Sequence, residues 1–146
     1  MGKIMTKIKL TNLNDAQDAR TGVLRPDQVR VLEIEALVDT GATNLVLPAD
    51  VVAALGVREI GKRKVRYADN RVEEIPWVGP LQLEILGRAM IGEALVVAAG
   101  ATPLIGQIPL ANLDLIVDPK SRELSVNPAS PDMPLLDLLH AGIRAA

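Results

Sequence analysis

Apolar and polar residues alternate along Val31–Val38, and the stretch becomes fully apolar over its last two residues. Because successive side chains of a strand point to opposite faces, this period of two predicts a half-buried β-strand. An acid, a β-branched hydroxyl residue and a glycine follow directly, as Asp39, Thr40 and Gly41. We therefore expect a strand to deliver Asp39 to a poorly hydrated place, where a lone carboxylate is costly unless hydrogen bonds stabilise it.

Similar short runs, separated by turn residues, recur along the chain and predict an all-β fold. We expect a closed β-barrel with one or two short helices. The predicted strands cover residues 4–10, 31–38, 44–47, 62–67, 72–78, 81–85, 89–97, 115–117 and 123–127.

Helices are predicted at few places. Residues 48–56 begin with proline, contain good helix formers and end with glycine, which is typical of a short helix, and residues 108–113 form a helical turn. Residues 11–27 are polar and are interpreted as a long loop or an extended hairpin end. We assign residues 1–127 to one domain, and residues 128–146 to a C-terminal segment that is either a tail or a short amphipathic helix over 135–143.

The composition excludes several classes of function. The chain has 146 residues, enough for one domain, and a net charge of -2, which gives no electrostatic reason to expect nucleic acid as a partner. Cysteine is absent and there is one histidine, so the usual ligand sets of a catalytic metal are missing and neither metal nor cofactor is expected. No apolar run has the length of a secretion signal core or a membrane span, so a cytoplasmic location without membrane contact is the expectation.

A turn-rich tetrapeptide, 68–71, lies between two strand-like runs and predicts a β-hairpin. Its residues are Ala68, Asp69, Asn70 and Arg71, and Tyr67 precedes them at the shoulder of the turn. Tyr67 either lines a side-chain pocket or is an edge aromatic, and the pattern leaves both readings open.

A second stretch of interest lies far downstream, where Leu104, Ile105 and Gly106 follow an apolar run. Two apolar residues and a glycine indicate a strand that passes close to something that leaves no room for a side chain. With Asp39-Thr40-Gly41-Ala42 and the strand 45–48, this stretch makes the sequence resemble the retroviral-type, retropepsin-like single-domain aspartic proteases, including their bacterial cytoplasmic members. The resemblance covers roughly residues 30 to 127.

The resemblance implies a role for each of these stretches. Asp39 is the catalytic residue in an active-site loop with Thr40, Gly41 and Ala42, and Gly41 offers both a backbone that can take positive φ and an amide that can approach a carboxylate. The hairpin is the flap that closes over bound peptide, although its tip departs from the glycine-rich viral version. Its substrate-binding positions are Tyr67, Ala68, Asp69 and Asn70, and the elements supporting the loop are Leu104, Ile105 and Gly106.

The chemistry of such a site needs two carboxyl groups. One deprotonates a water molecule while the other, protonated, donates to the scissile carbonyl, and aspartic proteases are the known example of such a shared proton. Since the chain contains one such motif, the second Asp39 is expected from another subunit across a two-fold axis, which predicts a homodimer acting on a peptide or protein substrate. Ala42 has no hydroxyl to donate to the carboxylates, so the pH optimum is expected nearer neutral than in enzymes with serine there.

Two other functions are compatible with the same residues. The first is a non-catalytic dimeric module that holds a peptide in the cleft without cutting it. The second is a narrow processing protease whose substrate is itself or one partner, which would show defined self-cleavage near a terminus. Cleavage of denatured casein or a peptide library by the wild type, compared with Asp39→Asn, distinguishes a general protease from these two alternatives.

Overall fold

The computed structural model describes residues 3–146, so the first two residues of the N-terminal stretch lie outside the described part. The fold is mostly β with a few short helices. The strands are β1 Met5–Asn12, β2 Val31–Val38, β3 Leu45–Pro48, β4 Arg58–Arg66, β5 Val72–Ile85, β6 Arg88–Val97, β7 Leu104–Ile105, β8 Leu115–Asp118 and β9 Glu123–Val126. The α-helices are α1 Leu13–Arg20, α2 Ala49–Leu55 and α3 Gln107–Asn112, and a 3-10 turn covers Pro26–Gln28.

Seven strands form one sheet in the order β1-β2-β7-β3-β6-β5-β4, and β8 pairs with β9 separately. β1 also pairs with β5, so the sheet returns on itself and β4 extends from it along β5. The pairings describe a ring of strands, and a closed barrel stays a prediction. The strand predictions before and after Asp39 are confirmed, with β2 at the expected bounds.

The core inside this ring is aliphatic, because the chain has no phenylalanine and a single tryptophan. Alternate residues of β1 and β5 point inward, which explains why their burial alternates. Burying such side chains supplies the main driving force for the fold. The largest fully buried ones are Ile8, Leu10, Leu47, Leu55, Leu81, Leu83, Ile85, Ile105 and Leu113.

The two strands that flank the Asp39 loop are both held by β7. β2 pairs with β7 in parallel, Leu37 opposite Leu104 and Val38 opposite Ile105. β3 pairs antiparallel with the same two residues. The two-residue strand β7 thus holds the end of β2 and the start of β3, which are the two ends of the Asp39 loop.

The helix predicted over residues 48–56 is confirmed as α2, which ends at Leu55 and is capped by Gly56 with φ 73°. The interpretation of residues 11–27 as a loop is wrong, because α1 lies there. Asn12 caps α1: its side chain accepts a hydrogen bond from the main-chain N–H of Asp15 at 3.0 Å. The chain therefore contains three α-helices within residues 3–146, where one or two were expected.

The helix considered for residues 135–143 is not formed, and this part of the chain has neither helix nor strand. Its start is nevertheless attached to the domain. Asp114 accepts hydrogen bonds from the Ser130 hydroxyl, from the Leu135 main-chain N–H at 3.0 Å and from Asn127 Nδ2 at 3.1 Å. The buried Arg88 donates to the carbonyl oxygens of Asp114 and Ser130.

Among residues 3–146, no helix has the length and hydropathy needed to cross a lipid bilayer.

Candidate active site

Asp39 is the first residue after β2, and its main chain is tied to β7. Its N–H donates to the carbonyl oxygen of Ile105 at 3.0 Å, continuing the ladder in which the Leu37 N–H donates to Pro103 O at 2.8 Å. Because these bonds belong to the sheet, the position of the Asp39 Cα is set by strand pairing and not by the loop alone. The predicted neighbourhood of Asp39 and Leu104-Ile105-Gly106 is confirmed.

Gly106 packs directly against the Asp39 loop, and there is no space for a side chain at this position. A Cβ built there would lie 2.5 Å from the Asn44 carbonyl oxygen and 2.7 Å from the Ala42 carbonyl oxygen. The Gly106 N–H donates to Asn44 O at 3.1 Å, so the close approach is a hydrogen-bonded one. The prediction that this glycine leaves no room for a side chain is confirmed.

As a residue, Asp39 is half-buried, while Thr40 and Gly41 are exposed on the single chain. The Gly41 N–H donates to Asp39 Oδ1 at 2.9 Å, and the Ala42 N–H donates to the Asp39 carbonyl oxygen at 3.1 Å. The carboxylate therefore has a main-chain donor, as expected. The expectation that Gly41 takes positive φ is not met, because Gly41 is not among the residues with positive φ. Glycine fits here for a different reason: a Cβ on residue 41 would lie only 3.2 Å from Asp39 Oδ1.

One residue beside this loop, Gln107, was not expected from the sequence. Its Nε2 donates to the carbonyl oxygen of Thr40 at 2.7 Å, and its main-chain N–H donates to Ala42 O at 2.9 Å. The adjacent Ile108 N–H donates to Thr43 O at 2.9 Å. The start of α3 is thus attached to the loop, and the only signal in the sequence is that Gln107 directly follows Gly106.

The predicted hairpin is confirmed as β4 and β5 with its tip between them. The tip is closed by the Tyr67 N–H donating to Arg71 O and the Asn70 N–H donating to Tyr67 O, both at 2.9 Å. Asn70 has φ 67°, which asparagine tolerates better than most residues. Ala68 and Asp69 are exposed, and the Asp69 carboxylate accepts from the Arg71 N–H at 3.1 Å.

Tyr67 is half-buried and is held by contacts within the hairpin. Its hydroxyl donates to Glu73 Oε1 at 3.0 Å, and the Arg71 guanidinium lies 4.3 Å from the ring centroid. The hydrogen bond to Glu73 is the main reason that the pKa of Tyr67 is raised above its usual value. These contacts give the tip a defined shape, and a flap role for Tyr67, Ala68, Asp69 and Asn70 stays a prediction.

A cavity of about 210 Å³ lies beside the loop, between β3, β5, β6 and α3. Asn44 connects it to the loop, but Asp39 does not line it, so this cavity and the carboxylate are separate features. Its wall combines apolar residues, among them Leu81, Leu83 and Ile108, with polar groups such as those of Glu93 and Asn112. Within residues 3–146, no three His, Asp or Glu side chains are grouped so that they could hold a metal ion.

Comparison with known protein families agrees with this geometry. Residues 27–108 match the model of a retropepsin-like family described as aspartyl protease. The matched range contains β2, the Asp39 loop, the hairpin and the Leu104-Ile105-Gly106 element. Among curated proteins, none matches the sequence. Because the match covers more than half of the chain, the protein belongs to the retropepsin-like aspartyl protease family.

Proposed function

We propose that this protein is an aspartic endopeptidase that works as a homodimer. In this proposal two copies of Asp39, one from each subunit, meet at a two-fold axis and activate a water molecule between them. The observation that carries the proposal is the position of Asp39 directly after β2, with its carboxylate bound by the Gly41 N–H in a loop whose neighbouring residues are exposed. The family of the chain supports the same activity.

The reaction divides the work of acid and base between the two carboxyl groups. Two carboxyl groups a few ångströms apart share one proton, because both cannot be ionised at that distance. The ionised Asp39 takes a proton from the water, and the protonated one donates to the scissile carbonyl oxygen. The exposed Thr40 and Gly41 allow a second loop to approach, which is what a symmetric interface at this point requires.

In this proposal the substrate binds between the loop and the hairpin. An extended peptide offers main-chain donors and acceptors to strands, and side chains set the preference. Tyr67 and the exposed tip residues Ala68, Asp69 and Asn70 are the flap in this proposal. The contacts of Tyr67 with Glu73 and Arg71 support it, because they give the tip a defined shape without glycine-rich sequence.

The test is proteolysis of denatured casein, followed by a peptide library, with the wild type and Asp39→Asn compared at equal concentration. The wild type is expected to cut, and Asp39→Asn to bind peptide without cutting while keeping its circular dichroism spectrum. Cutting by Asp39→Asn contradicts the assigned role of Asp39. Peptide binding without cutting by both proteins establishes the non-catalytic dimeric module instead.

A narrow self-processing protease is the second candidate, favoured by the C-terminal segment. Residues 131–146 have no helix or strand, and their large aliphatic side chains are exposed, Leu139 at 91%. An irregular, accessible segment of this kind is easily cleaved. If this is the function, the intact mass of the wild type decreases with time by a fixed C-terminal fragment, casein is untouched, and Asp39→Asn keeps its full mass.

A further inference from the structure

The loop after β2 has its carbonyl groups bound by the residues that follow β7, and one of these bonds differs from the others. The carbonyl oxygens of Ala42, Thr43 and Asn44 accept from main-chain N–H groups of residues 106–108. Main-chain donors are present whatever side chains those residues carry. The carbonyl oxygen of Thr40 instead accepts from a side chain, Gln107 Nε2, at 2.7 Å.

The peptide group between Thr40 and Gly41 is bound at both ends. Its carbonyl oxygen accepts from Gln107, and its N–H, which belongs to Gly41, donates to Asp39 Oδ1 at 2.9 Å. Because a peptide group is planar, fixing the direction of the carbonyl also fixes the direction of the N–H. Bonds at the two ends of one amide also polarise each other, which strengthens both.

Thr40 and Gly41 are exposed, so this peptide group has little packing to hold it. Without the bond from Gln107, it can rotate, and water can take the place of either partner. Rotation moves the Gly41 N–H away from the carboxylate of Asp39. The orientation of the catalytic side chain therefore depends on a residue that follows it by 68 positions.

We infer that Gln107 is a positioning residue for catalysis, which acts on Asp39 through the Thr40–Gly41 peptide group; the inference rests on the proposed function. Gln107 touches neither water nor substrate in this role. Loss of its donor is expected to lower kcat, since the carboxylate is less well oriented for the transition state. KM is expected to stay nearly unchanged, because the substitution does not touch the hairpin that is proposed to bind the substrate.

Two substitutions separate the hydrogen bond from charge and packing. Gln107→Met keeps the length of the side chain and removes the donor, and Gln107→Glu keeps the shape and replaces the donor with a carboxylate. Gln17→Glu, an exposed residue of α1, is the matched control for the added charge. Each protein is assayed on a fluorogenic peptide made from a mapped casein cut, at a concentration where sedimentation shows complete dimer.

Both Gln107 variants are expected to lose about 10- to 100-fold in kcat, with KM within about twofold of the wild type. The acid limb of the pH–rate profile is expected to move to higher pH in Gln107→Met, because the Gly41 N–H is then less often directed at the ionised Asp39 carboxylate. Gln17→Glu is expected to match the wild type. If kcat is normal in Gln107→Met and lowered only in Gln107→Glu, the loss of activity is caused by the added charge and the inference is overturned.

Hydrogen exchange at the Gly41 amide gives a second measurement that needs no turnover. In Gln107→Met this amide is expected to exchange about five- to tenfold faster, as the loss of one hydrogen bond predicts, while the Ile108 amide is unchanged. Unchanged exchange at Gly41 overturns the inference even if activity falls. If the wild type itself cuts nothing, the proposed function fails, and the Gly41 exchange still decides whether Gln107 holds the loop.

Discussion

Gly106 lies so close to Asn44 that a Cβ on Gly106 would fall 2.5 Å from the Asn44 carbonyl oxygen. Gly106→Ala must therefore push the loop away from α3 and weaken the bonds that hold the carbonyl groups of Ala42 and Asn44. We expect a loss of about 1–3 kcal/mol in the free energy of unfolding and at least about a hundredfold loss of proteolytic activity.

The control for Gly106→Ala is Gly61→Ala. A Cβ on Gly61 would lie 3.5 Å from the Trp77 ring, an ordinary contact distance, and Gly61 does not have positive φ. Urea unfolding and casein cleavage are measured for both variants. Equal behaviour of the two would show that the close approach at Gly106 is not needed.

Mixing experiments test whether one active centre needs two copies of Asp39. Wild type and Asp39→Asn chains are unfolded together and refolded at equal amounts, so random pairing leaves about one quarter of the dimers with two intact carboxyl groups. Activity is expected to follow the square of the wild-type fraction. A linear dependence contradicts the shared centre. Chains carrying Asp132→Asn, an exposed acid of the C-terminal segment, serve as the control and are expected to leave activity undiminished.

The sequence was sufficient for the parts of the fold that depend on local patterns. The alternation in Val31–Val38 and the proline and glycine at the ends of residues 48–56 each gave the right element, because side-chain period and cap residues act locally. The helix α1 was missed because its apolar content is low. Asn12 followed three residues later by Asp15 was a usable capping signal.

Other features depend on contacts that no local pattern reports. A short amphipathic helix over residues 135–143 was considered, but the large aliphatic side chains there are exposed, so they bury too little surface to stabilise so short a helix. Gln107 was missed because its hydrogen bond is to the Thr40 carbonyl group, 67 positions away. That Asp39 and Gly106 lie close together could be predicted only because both belong to motifs of a known family, since no local pattern links two residues so far apart in the chain.

Adding a hydroxyl at position 42 should change the pH dependence of the enzyme. Ala42 follows Gly41 in the loop and offers no side-chain donor, whereas Ala42→Ser supplies one that can stabilise the ionised carboxylate. The acid limb of the pH–rate profile is then expected to move to lower pH. The control is Ala54→Ser on the exposed side of α2, for which the profile is expected to stay in place. No movement with Ala42→Ser would indicate that the hydroxyl does not reach the carboxylates.

Asp15 is a buried carboxylate that links α1 to the start of β2. Arg30 binds it through Nε at 2.7 Å, Nη2 at 3.0 Å and its main-chain N–H at 3.1 Å. The side-chain hydrogen bonds from Arg30 are the largest cause of the lowered pKa of Asp15. Asp15→Asn is expected to cost about 1–3 kcal/mol of stability at pH 7, since charged hydrogen bonds are lost and the position is buried.

The sign of the pH effect follows from the direction of this pKa. A carboxyl group whose pKa is lower in the folded state stabilises the fold above its unfolded pKa, near pH 4, and loses this contribution as the pH falls further. The stability difference between wild type and Asp15→Asn should therefore shrink between pH 5 and strong acid, as urea unfolding can measure. Asp18→Asn, on the exposed side of α1, is the control. A difference that is constant with pH would assign the cost to packing.

Asp114 attaches the C-terminal segment to the domain, and its loss should release that segment. The Ser130 hydroxyl, the Leu135 N–H and Asn127 Nδ2 all donate to its carboxylate, and the first of these is the main reason that its pKa is lowered. Asparagine is the informative substitution, because Asp114 has φ 52° and asparagine tolerates that conformation.

In Asp114→Asn the Leu135 and Ser130 amides are expected to lose protection from hydrogen exchange, while amides of β5 keep theirs. The Ser130 N–H donates to Asn127 O at 2.9 Å, so its protection reports whether the turn before the segment persists. Asp132→Asn removes a charge from the same segment without touching this cluster and is expected to leave the pattern unchanged. If both variants show wild-type exchange at Leu135, the segment is held by contacts other than Asp114.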